Sequence, residues 1–145
     1  MNKKTKWLSK KEYGYVYKRA PRLCVDLLIK NKKGVLLSKR LISPLKGYWH
    51  LPGGRAFHQE SIEKALQRIA FSEVGLRVKK AKLVGYAEAL REGGYIHSVA
   101  LVFKLLKTTG TPRGSKQALE MKFFKRIPKK TLPLHVVFFK KHKKL

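Results

Sequence analysis

Acidic residues are scarce in this chain: eight Asp and Glu stand against 35 Lys and Arg over 145 residues, a formal charge of +27 at pH 7. So large an imbalance implies self-repulsion in the compact state and attraction to polyanions, whether nucleotides, nucleic acid or acidic surfaces. Cysteine is scarcer still. The single Cys24 excludes an intrachain disulfide, and its place in the apolar run Leu23-Cys24-Val25 marks it as a buried, inert thiol suited to a reducing cytoplasm. No window approaches the ~18 consecutive apolar residues of a membrane helix, and the Lys-rich beginning is not followed by the apolar stretch of a signal peptide. Neither secretion nor a membrane partner is expected. Zinc-ligand spacing, an RNA-recognition motif, a helix-turn-helix pattern and internal repeats are all missing.

What the chain does have is apolar material: 43% hydrophobic and 10% aromatic residues, enough to offset the entropy of ordering a compact domain. Its length corresponds to about one domain. Residues 1–20 are basic with aromatics interleaved and show no clear period, so they read as an arm. Residues 21–145 read as a single domain ending in a basic helix or tail.

Within that domain, Leu23 to Ile29 and Val35 to Arg40 are strand-like, and Asn31 to Gly34 supply turn residues, which predicts a hairpin. A loop around Ser43-Pro44 and Lys46-Gly47 precedes a short strand at Tyr48 to Leu51, and Pro52-Gly53-Gly54 breaks it. From Ser61 to about Glu73, Ile62, Ala65, Leu66, Ile69 and Ala70 recur at helical spacing, and Gly75 stops the helix. Two longer apolar runs, Ala81 to Leu90 and Tyr95 to Leu106, flank a turn at Arg91 to Gly94. A loop at Thr108 to Lys116, a strand at Glu120 to Lys125 and a helix over Leu132 to Lys143 complete the chain, with Pro133 in the first turn of that helix. This order predicts an α+β class with a mixed sheet between helices.

The chemistry concentrates around Gly53-Gly54, Glu60, Arg68 and Glu73. Two glycines ahead of a helix let the backbone approach an anion or a metal closely. Glu60, Arg68 and Glu73 can be gathered on one side by the loop and the helix. This segment resembles the box of Nudix hydrolases, G-x5-E-x7-R-E-U-x-E-E-x-G-U with U aliphatic: Gly54, Glu60, Arg68, Glu73, Gly75 and Leu76 fall at the required spacings. Ile69 and Ser72 stand where the box has two further glutamates. In such boxes the carboxylates share a helical face and hold Mg²⁺, a hard cation that takes oxygen ligands; here Glu73 remains.

The thinned box, together with Val25-Asp26-Leu27, Leu37 to Arg40, Gly47-Tyr48-Trp49 and Leu51 to Arg55, is similar to GDP-mannose mannosyl hydrolases, a Nudix subgroup that cleaves the sugar C1–O bond with inversion. The resemblance implies a Nudix fold, Mg²⁺ or Mn²⁺ as cofactor, a nucleoside diphosphate derivative as substrate, and a homodimer. It implies Glu73, Gln117 and the Gly53 carbonyl as metal ligands. Arg40 and Arg55 become the arginines on the diphosphate, and Asp26 the acid that holds the sugar. The subgroup's general-base histidine is replaced by Ala118, leaving His97 or Glu120 as substitutes. Two alternatives stay open: attack at phosphorus, as in Nudix pyrophosphohydrolases, and a catalytically degenerate Nudix domain that binds nucleotides or RNA.

Plainer readings stand beside these. Glu60 and Arg68 form a supporting ion pair behind the ligands. Asp26, in the middle of an apolar strand, costs free energy unless paired, so a structural salt bridge equals sugar binding as its explanation. Tyr48 is assigned to stacking on the nucleobase, although a core role for it or Trp49 is common. His135 and His142 fall with the basic C-terminal segment, His58 with a loop and His50 with a strand. The Lys-rich ends are solvated tails, with nonspecific attachment to nucleic acid as their sharper reading.

Overall fold

The computed structural model describes residues 7–92, 96–114 and 120–145. A helix α1 (Lys10–Tyr17) leads into strands β1 (Arg22–Leu28), β2 (Lys30–Asn31), β3 (Gly34–Lys39), β4 (Trp49–His50) and β5 (Gly53–Arg55). Helix α2 (Ile62–Val74), strands β6 (Arg77–Glu92), β7 (Ile96–Thr109) and β8 (Met121–Phe124), and helix α3 (Pro133–Lys141) follow. The first sheet runs β5-β1-β7-β6 and is mixed, with β1 parallel to β7 and antiparallel to β5. The second runs β2-β3-β4, with β8 also paired to β3.

Strand β1 is central and buried on both faces from Cys24 onward, which is why its apolar residues run together rather than alternate, with Asp26 as the one interruption. Alternation still divides its side chains. Val25 and Leu27 face α2, where Ala65, Leu66, Ile69, Ala70 and Val74 form the apolar stripe of that helix. Leu28 faces the other way, into a second core with Val102, Leu132, Leu134 and Phe138. Asp26 shares the parity of Leu28, so its carboxylate points toward the α3 side of the sheet. The class expected from the order of elements, an α+β fold with a mixed sheet flanked by helices, is the one observed.

Helix α2 has both end signals: Ser61 caps Lys64 N–H, and Gly75 closes the helix at φ 72°, in the left-handed region. Two expectations are corrected. The predicted hairpin of 23–29 with 35–40 is not a single ladder: pairing is confined to β2 and β3, while β1 joins the other sheet between β5 and β7. A strand buried on both faces needs neighbours along both edges, and β5 and β7 supply them. The basic segment before Pro21 contains a helix, α1, closed by a reciprocal Ser9–Glu12 capping box. No residue of α1 is buried, so it shows no apolar period.

Among the described residues, no helix is long and apolar enough to cross a membrane.

Candidate functional site

A cleft of about 420 Å³ opens where β1, β5, α2 and the start of α3 meet. Its floor follows from one close approach. Asp26 lies opposite Gly53 in the β1–β5 ladder, and a Cβ on Gly53 would sit 2.0 Å from Asp26 Oδ1 and 2.8 Å from the Val25 carbonyl. Only glycine permits this spacing. Beside it, Ile69 of α2 packs under Gly54, where an added Cβ would stand 3.3 Å from the Ile69 side chain.

Asp26 is buried and bonded to a residue from the far end of the chain: its Oδ2 lies 2.6 Å from His135 Nε2 on α3. Leu51 N–H donates to His135 Nδ1 at 3.2 Å, which makes Nδ1 the acceptor nitrogen and leaves Nε2–H to donate to the carboxylate. The pair is therefore an imidazole N–H on a carboxylate, with the tautomer set by a backbone amide. A second imidazole, His50, stacks 6.5 Å away, and its Nδ1 donates to the Leu51 carbonyl at 2.7 Å. Burial holds the pKa of His50 below the ordinary histidine value, with His135 and Arg40 adding to the lowering; the Leu51 carbonyl and Asp26 oppose it.

Cations surround these groups. Arg40 and Arg55 both line the cleft. Arg40 Nε donates to the Pro44 carbonyl, which anchors the side chain near its root. Arg55 reaches Tyr17 Oη from Nη1 at 3.3 Å and lies 5.0 Å from the Phe57 ring centroid. Arg22 is held by Ser98 Oγ at 2.8 Å and by Tyr13 Oη.

Glu60 and Arg68 form a two-point ion pair, Nε to Oε1 at 2.7 Å and Nη2 to Oε2 at 2.9 Å. Glu60 also accepts Phe57 N–H, and Arg68 also donates to the Arg55 carbonyl, so the pair ties α2 to the loop beneath the cleft. It braces the wall; Glu60 is spent on that contact.

Glu73, half-buried, lines the cleft together with Gly53 and Gly54. Ser72 is exposed at its edge, while Ile69 is 1% exposed in the core. Among the described residues, no three His, Cys, Asp or Glu side chains form a group able to hold a metal ion. One carboxylate with nearby peptide oxygens is nevertheless the sparse donor set Mg²⁺ accepts when phosphate oxygens complete its sphere. Gln117, expected as a further ligand, and Ala118 lie outside the described residues.

Tyr48 does not line the cleft. It lies just ahead of β4 and packs half-buried against the second core. Trp49 packs edge-on to Phe124 at 4.7 Å. The aromatic rings at the cleft are instead Trp7, Tyr13 and Phe57, with Trp7 edge-on to Phe57 at 4.8 Å. Neither substitute for the absent base reaches the cleft: His97 lies elsewhere on β7, and Glu120 pairs with Lys39 at 3.4 Å. The cleft histidines are His50 and His135. A buried acid in an apolar strand signals a partner, but nothing in local spacing identifies one 109 residues away.

A family model for the NUDIX domain matches residues 20–135, most of the described chain. The chain belongs to the NUDIX family. Among curated proteins it is 33% identical over 104 residues to an ADP-ribose pyrophosphatase of Methanocaldococcus jannaschii, covering 72% of this chain and 62% of that one. It is 36% identical over 77 residues to the low-salt glycan biosynthesis protein Agl8 of Haloferax volcanii, covering 53% and 49%. The chain thus spans only about half to three fifths of the length of these relatives. A MutT NUDIX hydrolase from Burkholderia pseudomallei has a similar structure, with TM-score 0.75, 25% identity, and coverage of 81% of this chain and 95% of that one. In this NUDIX domain the helix that the box spacing predicted is α2, with Glu60 just ahead of it and Glu73 in its last turn.

Proposed function

We propose that this NUDIX domain hydrolyses a nucleoside diphosphate linked to a sugar, a chemical class that includes both ADP-ribose and GDP-mannose. The observation that carries the reading is the convergence of Arg40, Arg55, Glu73 and Asp26 on one cleft. Guanidinium forks match diphosphate oxygens and stabilise the charge of a departing nucleoside diphosphate. The Asp26 carboxylate accepts a sugar hydroxyl and so fixes the anomeric carbon relative to the arginines. Mg²⁺, which Glu73 and the Gly53 carbonyl would hold with the help of Gln117, supplies charge neutralisation at the diphosphate when bound.

In a substrate whose sugar is joined to the diphosphate through C1, as in GDP-mannose, water attacks the anomeric carbon; the C1–O bond breaks, its electron pair stays with the diphosphate oxygen, and the sugar leaves inverted. Loss of the box carboxylates at Ile69 and Ser72 favours this route, since attack at phosphorus in the family's usual manner relies on several metals. The second reading, P–O–P cleavage, is favoured by the similarity to the ADP-ribose pyrophosphatase.

A panel of ADP-ribose, GDP-sugars and UDP-sugars, with Mg²⁺ or Mn²⁺ in ¹⁸O-labelled water, tests both. Label in the sugar supports attack at carbon, and label in a phosphate product selects the second reading. Turnover should need the divalent ion and fall sharply in Arg55→Ala. Undiminished activity in EDTA would defeat the metal-dependent mechanism.

A further inference from the structure

We propose that His50 is the general base of this cleft, taking the proton of the attacking water on Nε2. The inference rests on the hydrolase reading and supplies the group that reading lacks. Two imidazoles face the cleft, and their hydrogen bonds divide the work between them. His135 has both nitrogens committed, Nδ1 to Leu51 N–H and Nε2–H to Asp26. Protonating His135 would put a hydrogen on Nδ1 and set it against the Leu51 amide, so this ring is a fixed support.

His50 is arranged the other way. Its Nδ1–H is fixed on the Leu51 carbonyl at 2.7 Å, which directs the lone pair to Nε2, and the ring forms part of the cleft wall with Asp26, Arg40 and His135. No hydrogen bond involves Nε2 among the described residues. The donors run in one direction: His50 Nδ1–H to the Leu51 carbonyl, Leu51 N–H to His135, His135 Nε2–H to Asp26. The chain ends on a carboxylate.

A proton arriving at Nε2 makes His50 an imidazolium, whose charge is steadied by the Leu51 carbonyl and by Asp26 beyond the His135 ring. Of the charged and titratable groups facing His50, Asp26 on β1 favours that state, whereas Arg40 after β3 and His135 on α3 oppose it. Burial keeps the resting ring neutral and ready to accept. In the reaction the water oxygen bonds to the anomeric carbon, its proton passes to Nε2, and the C1–O electron pair leaves with the diphosphate. His50 then returns the proton to solvent.

Two measurements test this. In kinetics on whichever substrate the wild type cleaves, His50→Gln should lower kcat by about 10²–10⁴-fold with KM changed only a few-fold. It should also abolish the acidic limb of the kcat–pH profile. Undiminished kcat, or an unchanged limb, overturns the proposal. Independently, imidazole ¹⁵N spectra of the unmodified protein at pH 7 should show His50 as the Nδ1–H tautomer, with a bare Nε2 that shifts on addition of GDP-mannose. An Nε2–H tautomer, or an Nε2 indifferent to the nucleotide, overturns it as well. If the wild type cleaves nothing in the panel, the hydrolase reading fails and the base assignment falls with it. If the wild type cleaves normally and His50→Gln does too, only His50 is wrongly assigned.

Discussion

Asp26 and His135 lie 109 residues apart in the chain and 2.6 Å apart in space, the acid from the central strand and the imidazole from the last helix. Both are buried, at 7% and 3% exposure. In a chain so rich in surface cations, its one buried aspartate among the described residues is partnered by a ring whose tautomer the backbone dictates.

His135→Ala should therefore cost about 3 kcal/mol of unfolding free energy, because it leaves a buried carboxylate and the Leu51 amide without their partner. Asp26→Asn keeps a polar acceptor for His135 Nε2–H and should cost less. Urea titrations of the two variants check the order; equal losses would contradict it.

Gly53→Ala introduces a methyl 2.0 Å from Asp26 Oδ1. The carboxylate must swing away or the ladder must part, at about 1–3 kcal/mol. Turnover should drop at least about tenfold, since 1.4 kcal/mol at the reacting centre already corresponds to that factor. Wild-type kinetics in this variant would show that Asp26 tolerates displacement.

Restoring the two lost box glutamates should give opposite results. Ile69→Glu drives a carboxylate into the core beneath Gly54, and calorimetry should show a loss of about 3 kcal/mol or more. Ser72→Glu adds one at the exposed rim of the cleft. It should fold normally and bind Mn²⁺ several-fold more tightly than wild type, as read by paramagnetic relaxation.

The depressed pKa of His50 has a stability consequence with a definite sign. Above about pH 6.5 the ring is neutral both folded and unfolded. Below that the unfolded chain takes up the proton first, so this group's share of stability declines as pH falls through the folded-state value. The pH dependence of the urea midpoint between pH 7 and 5 should be shallower in His50→Gln than in wild type; identical slopes would refute the assignment.

Much of this arrangement was legible in the residues themselves. The box spacing located α2 and the Glu60–Arg68 brace because both depend on helical periodicity and short loops. Asp26 announced itself as an acid where apolar residues belong. His135 did not, because its meaning comes from tertiary packing: within its own segment it is one more basic residue near Lys140 and Lys141. The direction of the Tyr48 ring was not legible for a related reason: the residue precedes β4, so no strand alternation sets which way it points. Helix α1 was hidden by having no face to bury, although Ser9 and Glu12 carried its capping signal.

The β1–α3 contact also constrains the order of assembly during synthesis. Asp26 emerges from the ribosome long before His135, so the nascent sheet must hold an aspartate whose imidazole has not yet been made. Until α3 docks, the carboxylate has to stay hydrated, which keeps that side of the sheet wet. Closure of the second core and completion of the cleft wall are thus a single late event, and any chain interrupted ahead of α3 would lack both.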